Sequence, residues 1–125
     1  METSLYEALG GEPVVRRLVD RFYDHMDRLP EAATIRAMHP ADLTESREKL
    51  YWFLTGWLGG PQLYVERRGH PRLRARHLPF TVDGPARDAW MRCMTLSIEE
   101  NVPSELRAPL DGALARLATH MINAG

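Results

Sequence analysis

Gly69-His70-Pro71-Arg72-Leu73-Arg74-Ala75-Arg76-His77-Leu78-Pro79-Phe80 is the stretch on which the reading of this chain turns. It holds two of the five histidines, and sets three arginines and the second of those histidines, His77, between two prolines. Pro71 suits the first turn of a helix, whereas Pro79 cannot continue one. The spacing therefore predicts a helix of about two turns. Just upstream, Arg67 and Arg68 bring the local run to five arginines. The question is what His77 is held for.

Working toward the N-terminus, Gly59-Gly60-Pro61 stops a helix whose stripe is Leu43, Ser46, Leu50, Phe53, Leu54 and Trp57. Asp42 and Glu45 have capping-box spacing at its start. Gln62 to Glu66 has weak periodicity and reads as a loop or brief turn. Ala32 to Met38 suits one or two turns that end at His39-Pro40. Before them, Val14, Leu18, Phe22 and Met26 recur every fourth residue, flanked by Val15, Val19 and Tyr23. That is an amphipathic helix with a wide apolar face, opened at Pro13 and closed near Leu29-Pro30. Leu5, Tyr6 and Leu9 suggest a short first helix stopped by Gly10-Gly11.

Toward the C-terminus, Asp83-Gly84-Pro85 starts a helix with Ala86, Trp90, Cys93, Met94, Ser97 and Ile98 inward, ended by Asn101 and Pro103. Ser104 is expected to cap the last helix, whose stripe is Leu106, Leu110, Ala113, Leu114, Leu117 and Met121. No segment alternates with period two. The expectation is an all-α fold of four substantial helices and short accessory ones, as one domain over residues 1–125.

Composition excludes several classes. The formal net charge of −1 opposes a general polyanion binder, so no nucleic-acid partner is expected. No apolar run approaches the roughly 20 residues of a membrane span. The first residues lack the basic start and apolar block of a secretion signal, which suggests a cytoplasmic protein. A single cysteine, Cys93, permits neither an intrachain disulfide nor a cysteine-rich metal site, and its apolar helical face suits a small buried hydrophobe. Glu-x-x-His, His-Glu-x-x-His and phosphate-loop motifs are absent.

His77 fits two readings. One is a surface or capping histidine in an arginine-rich turn. The other is an axial ligand of haem iron, for which neutral imidazole is suited. A haem pocket needs an apolar slot, which Phe53, Leu54, Leu73, Phe80 and Trp90 can supply. It needs a polar group opposite, and Tyr23 lies on an otherwise apolar face. It needs cations at its edge, where Arg76 and Lys49 qualify. Tyr23 and Trp90 suit plain core packing equally well.

The same residues carry a resemblance. Phe22-Tyr23, Phe53-Leu54-Thr55-Gly56-Trp57-Leu58-Gly59-Gly60-Pro61, the stretch Gly69 to Phe80, and Arg87-Asp88-Ala89-Trp90 together resemble the truncated haemoglobins. Trp90 and the arginine-histidine-x-proline-phenylalanine pattern point to their second group. The likeness runs from about Leu5 to Met121. It implies a two-over-two helical sandwich, globin-like but shortened, around haem b and its iron. It implies that His77 is the proximal ligand and that Tyr23 and Trp90 hydrogen-bond the distal ligand. It implies that Leu50 lines the distal side, and that Arg76, Lys49 and Tyr64 meet the propionates. Ser46 stands where larger globins often carry a distal histidine. His39 departs from the phenylalanine or tyrosine more usual at its position. It can donate a hydrogen bond to the ligand or to Tyr23, or coordinate the iron.

The function implied is binding of dioxygen, or of nitric oxide or CO, at a five-coordinate iron. The alternative is a haem redox enzyme, a peroxidase or nitric-oxide dioxygenase, served by an external reductase. A haem-free helical module docking a partner through its arginines is a third possibility. Apolar residues on the last two helices suggest a homodimer.

Overall fold

The stripe from Val14 to Met26 folds as α2, Glu12–Arg28, burying Val15, Leu18, Val19, Phe22, Tyr23 and Met26. The protein is a computed structural model that describes residues 3–124. Helix α1, Leu5–Leu9, ends at Gly10, whose φ of 114° is the left-handed geometry that glycine tolerates. A Cβ there would also stand 2.8 Å from Val14 Cγ2, so the turn from α1 into α2 excludes a larger residue. A 3₁₀ turn, Pro30–Ala32, and α3, Ala33–Ala37, follow.

Helix α4, Thr44–Trp57, departs from expectation in two ways. Asp42 Oδ1 accepts from the Thr44 N–H at 2.9 Å, closing a tight local turn instead of a capping box. Glu45 turns outward to Lys49 at 3.0 Å and Arg68 at 3.4 Å. Its deeply buried residues are Tyr51, Leu54 and Thr55, while Trp57 is 38% exposed. The segment read as a loop is a helix, α5, Leu63–Arg68. It packs on α4 and buries Tyr64.

Helix α6, Leu73–His77, is shorter than the two turns expected. Pro71 does not open it, because Arg72 adopts a left-handed backbone (φ 48°, ψ 52°) just before its first residue. Helix α7, Gly84–Asn101, starts as expected, with Asp83 Oδ1 accepting from the Ala86 N–H at 2.8 Å. Helix α8, Ser104–His120, has Pro103 at its cap position; Ser104 is its first residue and its hydroxyl turns to Glu105.

The long helices form two pairs, α2 with α4 and α7 with α8, and α2 on α7 is the principal contact between them. Phe22, Leu18, Met94, Ile98, Leu110 and Leu114 fill the space between. Ser97 buries its hydroxyl there and donates it to the Leu18 carbonyl at 2.6 Å, pinning α7 to α2. This is the expected two-over-two arrangement, with no strand among the described residues. No helix among them is long and apolar enough to cross a membrane. The exposed large apolar side chains are Trp57, Val65, Leu78 and Phe80. None belongs to α7 or α8, so the ground for expecting a dimer through those helices is missing among the described residues.

Candidate functional site

A cavity of about 310 Å³ opens between the helix pairs and the short helix α6, within the range of small-molecule and cofactor sites. Leu50, Phe53, Leu73, Val82, Leu117 and Met121 supply much of its apolar wall. Lys49, Arg76 and Arg87 bring cations to it, and no carboxylate lines it among the described residues.

His77 stands in this wall at the end of α6. Its Nδ1 lies 2.6 Å from the Leu73 carbonyl oxygen. A carbonyl only accepts, so Nδ1 carries a proton, and in the neutral ring Nε2 keeps its lone pair. That tautomer is the one in which Nε2 can bind a metal ion. His39, also in the wall, is set the same way: its Nδ1 donates to the Ile35 carbonyl at 2.8 Å. Its Nε2 is therefore an acceptor. In this tautomer neutral His39 offers the cavity an acceptor, where a hydrogen bond donated to a ligand or to Tyr23 was expected.

Tyr23 and Trp90 line the same cavity. Both rings pack against Phe22, with centroids 4.9 and 5.1 Å from it. Tyr23 also meets His39 edge to face at 5.8 Å. Among the described residues, neither the Tyr23 hydroxyl nor the Trp90 indole N–H has a protein hydrogen-bond partner. Burial pushes the Tyr23 phenol far above its ordinary range, only partly offset by Arg47, so it stays a protonated donor. Two donors thus line a mostly apolar cavity that also holds two acceptor imidazoles.

Ser46, Lys49, Leu50, Phe53, Tyr64, Leu73 and Arg76 all lie in the lining, as anticipated. Lys49 is held by Glu45, and Arg76 donates to the Pro71 carbonyl with its guanidinium 5.8 Å from the Tyr64 ring centre. Two residues lie elsewhere. Leu54 is 1% exposed and points into the core, because adjacent helical residues diverge by about 100° and Phe53 takes the cavity side. Phe80 is 42% exposed and lines a second, neighbouring cavity that shares His39, Ser46, Lys49 and His77.

The bacterial-like globin family model matches residues 4–123. The chain belongs to the truncated haemoglobins of group II. It is 44% identical over 119 residues to the group 2 truncated haemoglobin of Bacillus subtilis, covering 94% of this chain and 87% of that one. Among solved structures, the group II two-on-two haemoglobin of the plant pathogen Agrobacterium tumefaciens superimposes with a TM-score of 0.95 at 47% identity, over 99% of this chain and 97% of that one. A truncated oxygen-avid haemoglobin from Bacillus subtilis does so at 0.88 and 43%, over 97% and 100%.

Haem b with iron is the cofactor of this family, and the cavity of this truncated haemoglobin fits it. The fit rests on a largely apolar lining, an imidazole with a free Nε2, and cations without carboxylates.

One residue of this truncated haemoglobin gave no sign in its sequence. Asn123, beyond α8, accepts from the Val82 N–H at 2.9 Å and donates to the carbonyls of His77 at 3.1 Å and Phe80 at 3.0 Å. Its own N–H donates to the Val82 carbonyl at 2.8 Å. The C-terminal segment thus clamps both sides of the turn after His77. Three side-chain bonds at about 0.5–1.5 kcal/mol each predict a cost of about 2 kcal/mol for Asn123→Ala. Haem should also transfer faster to an apoglobin acceptor. Urea melts and the transfer rate check both; wild-type values in both would remove the clamp from the account.

His39 predicts a pH effect. Burial lowers its pKa, with Arg36 and His77 adding to the effect and the Ile35 bond opposing it. The unfolded chain takes up a proton near pH 6.5 that the folded one refuses. Stability should therefore fall as pH drops below about 6.5 and level off below the lowered folded value. His39→Phe should flatten that limb in denaturant melts of the haem-free protein; an unaltered limb would assign it to other groups.

Proposed function

We propose that this truncated haemoglobin binds dioxygen, and similar diatomic gases, with His77 as the proximal ligand of a five-coordinate iron and Tyr23, Trp90 and His39 around the ligand. The observation that carries the reading is the pairing of His77 with the two donors. Its Nδ1–H is committed to the Leu73 carbonyl, and its free Nε2 shares a cavity with the unpartnered Tyr23 hydroxyl and Trp90 N–H. The oxygen-avid relative supports the same choice of ligand.

When bound, haem supplies a ferrous iron that takes a diatomic ligand and passes electron density to it. The protein does the rest. Leu73 holds the His77 ring in one tautomer and orientation. Arg76 and Lys49 stand where carboxylates at the cavity edge would meet them, and Tyr64 backs Arg76. Tyr23 and Trp90 donate to a ligand that has gained negative charge, so they stabilise the bound state more than the free one. Leu50 and Phe53 keep the ligand side apolar, which strengthens those hydrogen bonds by excluding water. Ser46 is small and shared by both cavities, leaving room for ligand to enter.

The test is spectroscopic and kinetic. Haem titration should give a Soret band at one equivalent, a high-spin ferric spectrum, and slow oxygen release after rapid mixing. A chain that takes up no haem would sink the reading. A low-spin ferric spectrum that turns high-spin in His39→Phe would replace the five-coordinate resting state with one closed by His39.

His39 also supports a second reading, a peroxidase served by a reductant. Its acceptor nitrogen can take a proton from hydrogen peroxide, while Tyr23 and Trp90 steady the oxygen that departs. Peroxide-driven oxidation of a phenolic dye that is lost in His39→Phe would favour it. No dye oxidation would leave gas binding alone.

A further inference from the structure

We infer that the arginine-rich surface of α5, α6 and the turn between them docks an acidic one-electron carrier protein that keeps the haem iron ferrous. The inference rests on the haem reading above and names the class of partner that reading lacks. Residues 61–82 hold five arginines and one carboxylate, Glu66, a net of +4 in a chain whose total is −1. The rest of the chain therefore carries −5, and the molecule is electrically lopsided.

These charges are positioned but little neutralised. Among the described residues, Arg68 alone of the five meets a carboxylate, Glu45 at 3.4 Å, which Lys49 already holds at 3.0 Å. Arg74 and Arg76 donate to the backbone carbonyls of Ile122 and Pro71. Arg67 lies 5.0 Å over the Trp52 ring. By contrast Arg16, Arg21, Arg36 and Arg47, around α2 to α4, each pair with a carboxylate. Val65, Leu78 and Phe80 are 46%, 60% and 42% exposed in the same segment, an apolar component among the cations. Arg76 belongs both to this surface and to the wall of the cavity, so a docked carrier lies against the cofactor's side of the molecule.

Such a surface suits electron transfer. Redox complexes are small and short-lived, with charge guiding encounter and a few apolar contacts completing it. A nucleic acid fits less well. Binding single strands uses a series of open aromatic faces, and here Trp52 is covered by both Arg67 and Arg68. The step balances simply: the reduced carrier loses one electron, ferric iron gains it, and no bond or proton moves.

The probe is a reduced, strongly acidic [2Fe–2S] ferredoxin, mixed anaerobically with the ferric haem-loaded protein. Raising salt from ~20 to ~300 mM should slow reduction by about tenfold or more, because the charges are exposed and screened. The variant R67E/R68Q/R74E should be slowed as much at low salt and lose most of the salt dependence. Its Soret band and its photoreduction by a neutral deazaflavin should match wild type. Salt-indifferent reduction of the wild-type protein, or an unslowed variant, would overturn the inference. So would a single-stranded oligonucleotide that binds the surface more tightly than the ferredoxin does. A missing Soret band would instead sink the haem reading before any reductant is added.

Discussion

Replacing His77 with glycine is expected to weaken haem binding by at least about a hundredfold, since even the partners that orient a metal ligand are worth 10–100-fold. Imidazole added to the solution should restore much of the loss. The reason lies in what the side chain does and does not do for the fold. His77 is only half-buried, and its one side-chain hydrogen bond is to Leu73 within the same short helix. Removing the ring therefore leaves no charged or donor group stranded in the core. It opens an imidazole-sized space whose remaining walls, Leu73, Val82 and Leu117 among them, stay in place. Glycine costs about 1 kcal/mol of helix propensity, and His77→Ala separates that local cost from loss of the ligand. Ferrous resonance Raman reads the outcome directly through the iron–histidine stretch. A wild-type stretch in His77→Gly would move the proximal ligand to another residue, with His39 first to be examined.

What the chain's letters disclosed, and what they hid, follows from the range of the forces involved. Helix α2 was legible because its stripe, its proline and its preceding glycines all act within a few residues, and each does so in the structure. The start of α7 was legible for the same reason, since Asp83 caps the N–H only three residues on. The spacing of Asp42 and Glu45 carried no such guarantee. Asp42 has a nearer donor in Thr44, and Glu45 has cations in Lys49 and Arg68. Helix α5 was hidden because its support is tertiary: Tyr64 is buried against the rest of the fold, and Gln62 anchors its entry by donating to the Gly56 carbonyl at 3.0 Å. Phe53 and Leu54 show the limit of a stripe, which names an apolar face but not the surface that each residue on it meets.

The site was legible in a different sense. Spacing alone left His77 between a surface turn and an axial ligand, and it is the likeness to truncated haemoglobins that favours the second. Neither source disclosed the tautomers of His77 and His39, which depend on carbonyls four residues back. Neither disclosed Asn123, whose partners lie 41 to 46 residues away. Arg87 was missed too: it was quoted only as a motif letter, yet it lines the cavity while donating to Thr119 Oγ1 at 3.1 Å.

The distal side carries the other large effect. Trp90→Phe is expected to raise the oxygen dissociation rate by about tenfold, and Tyr23→Phe by a similar factor, because a hydrogen bond to a group bearing charge contributes about 1.5–3 kcal/mol and about 1.4 kcal/mol is tenfold. Both changes keep an aromatic ring against Phe22, so the packing at 4.9 and 5.1 Å is largely preserved and the donor is what is lost. The effect belongs in the off-rate. Neither donor contacts the ligand until it has arrived, and changes within one site alter escape far more than encounter. The double variant should release oxygen about a hundredfold faster if the donors act independently, and by less if they compete for the same ligand atom. Carbon monoxide provides the contrast. It gains little charge on binding, so its release should change much less, and the ratio of the two rates isolates the electrostatic part. Equal acceleration for both gases would mean that the substitutions opened the pocket rather than removed a donor. An unchanged oxygen rate in Trp90→Phe would strike that indole from the distal side, leaving Tyr23 to hold the ligand alone.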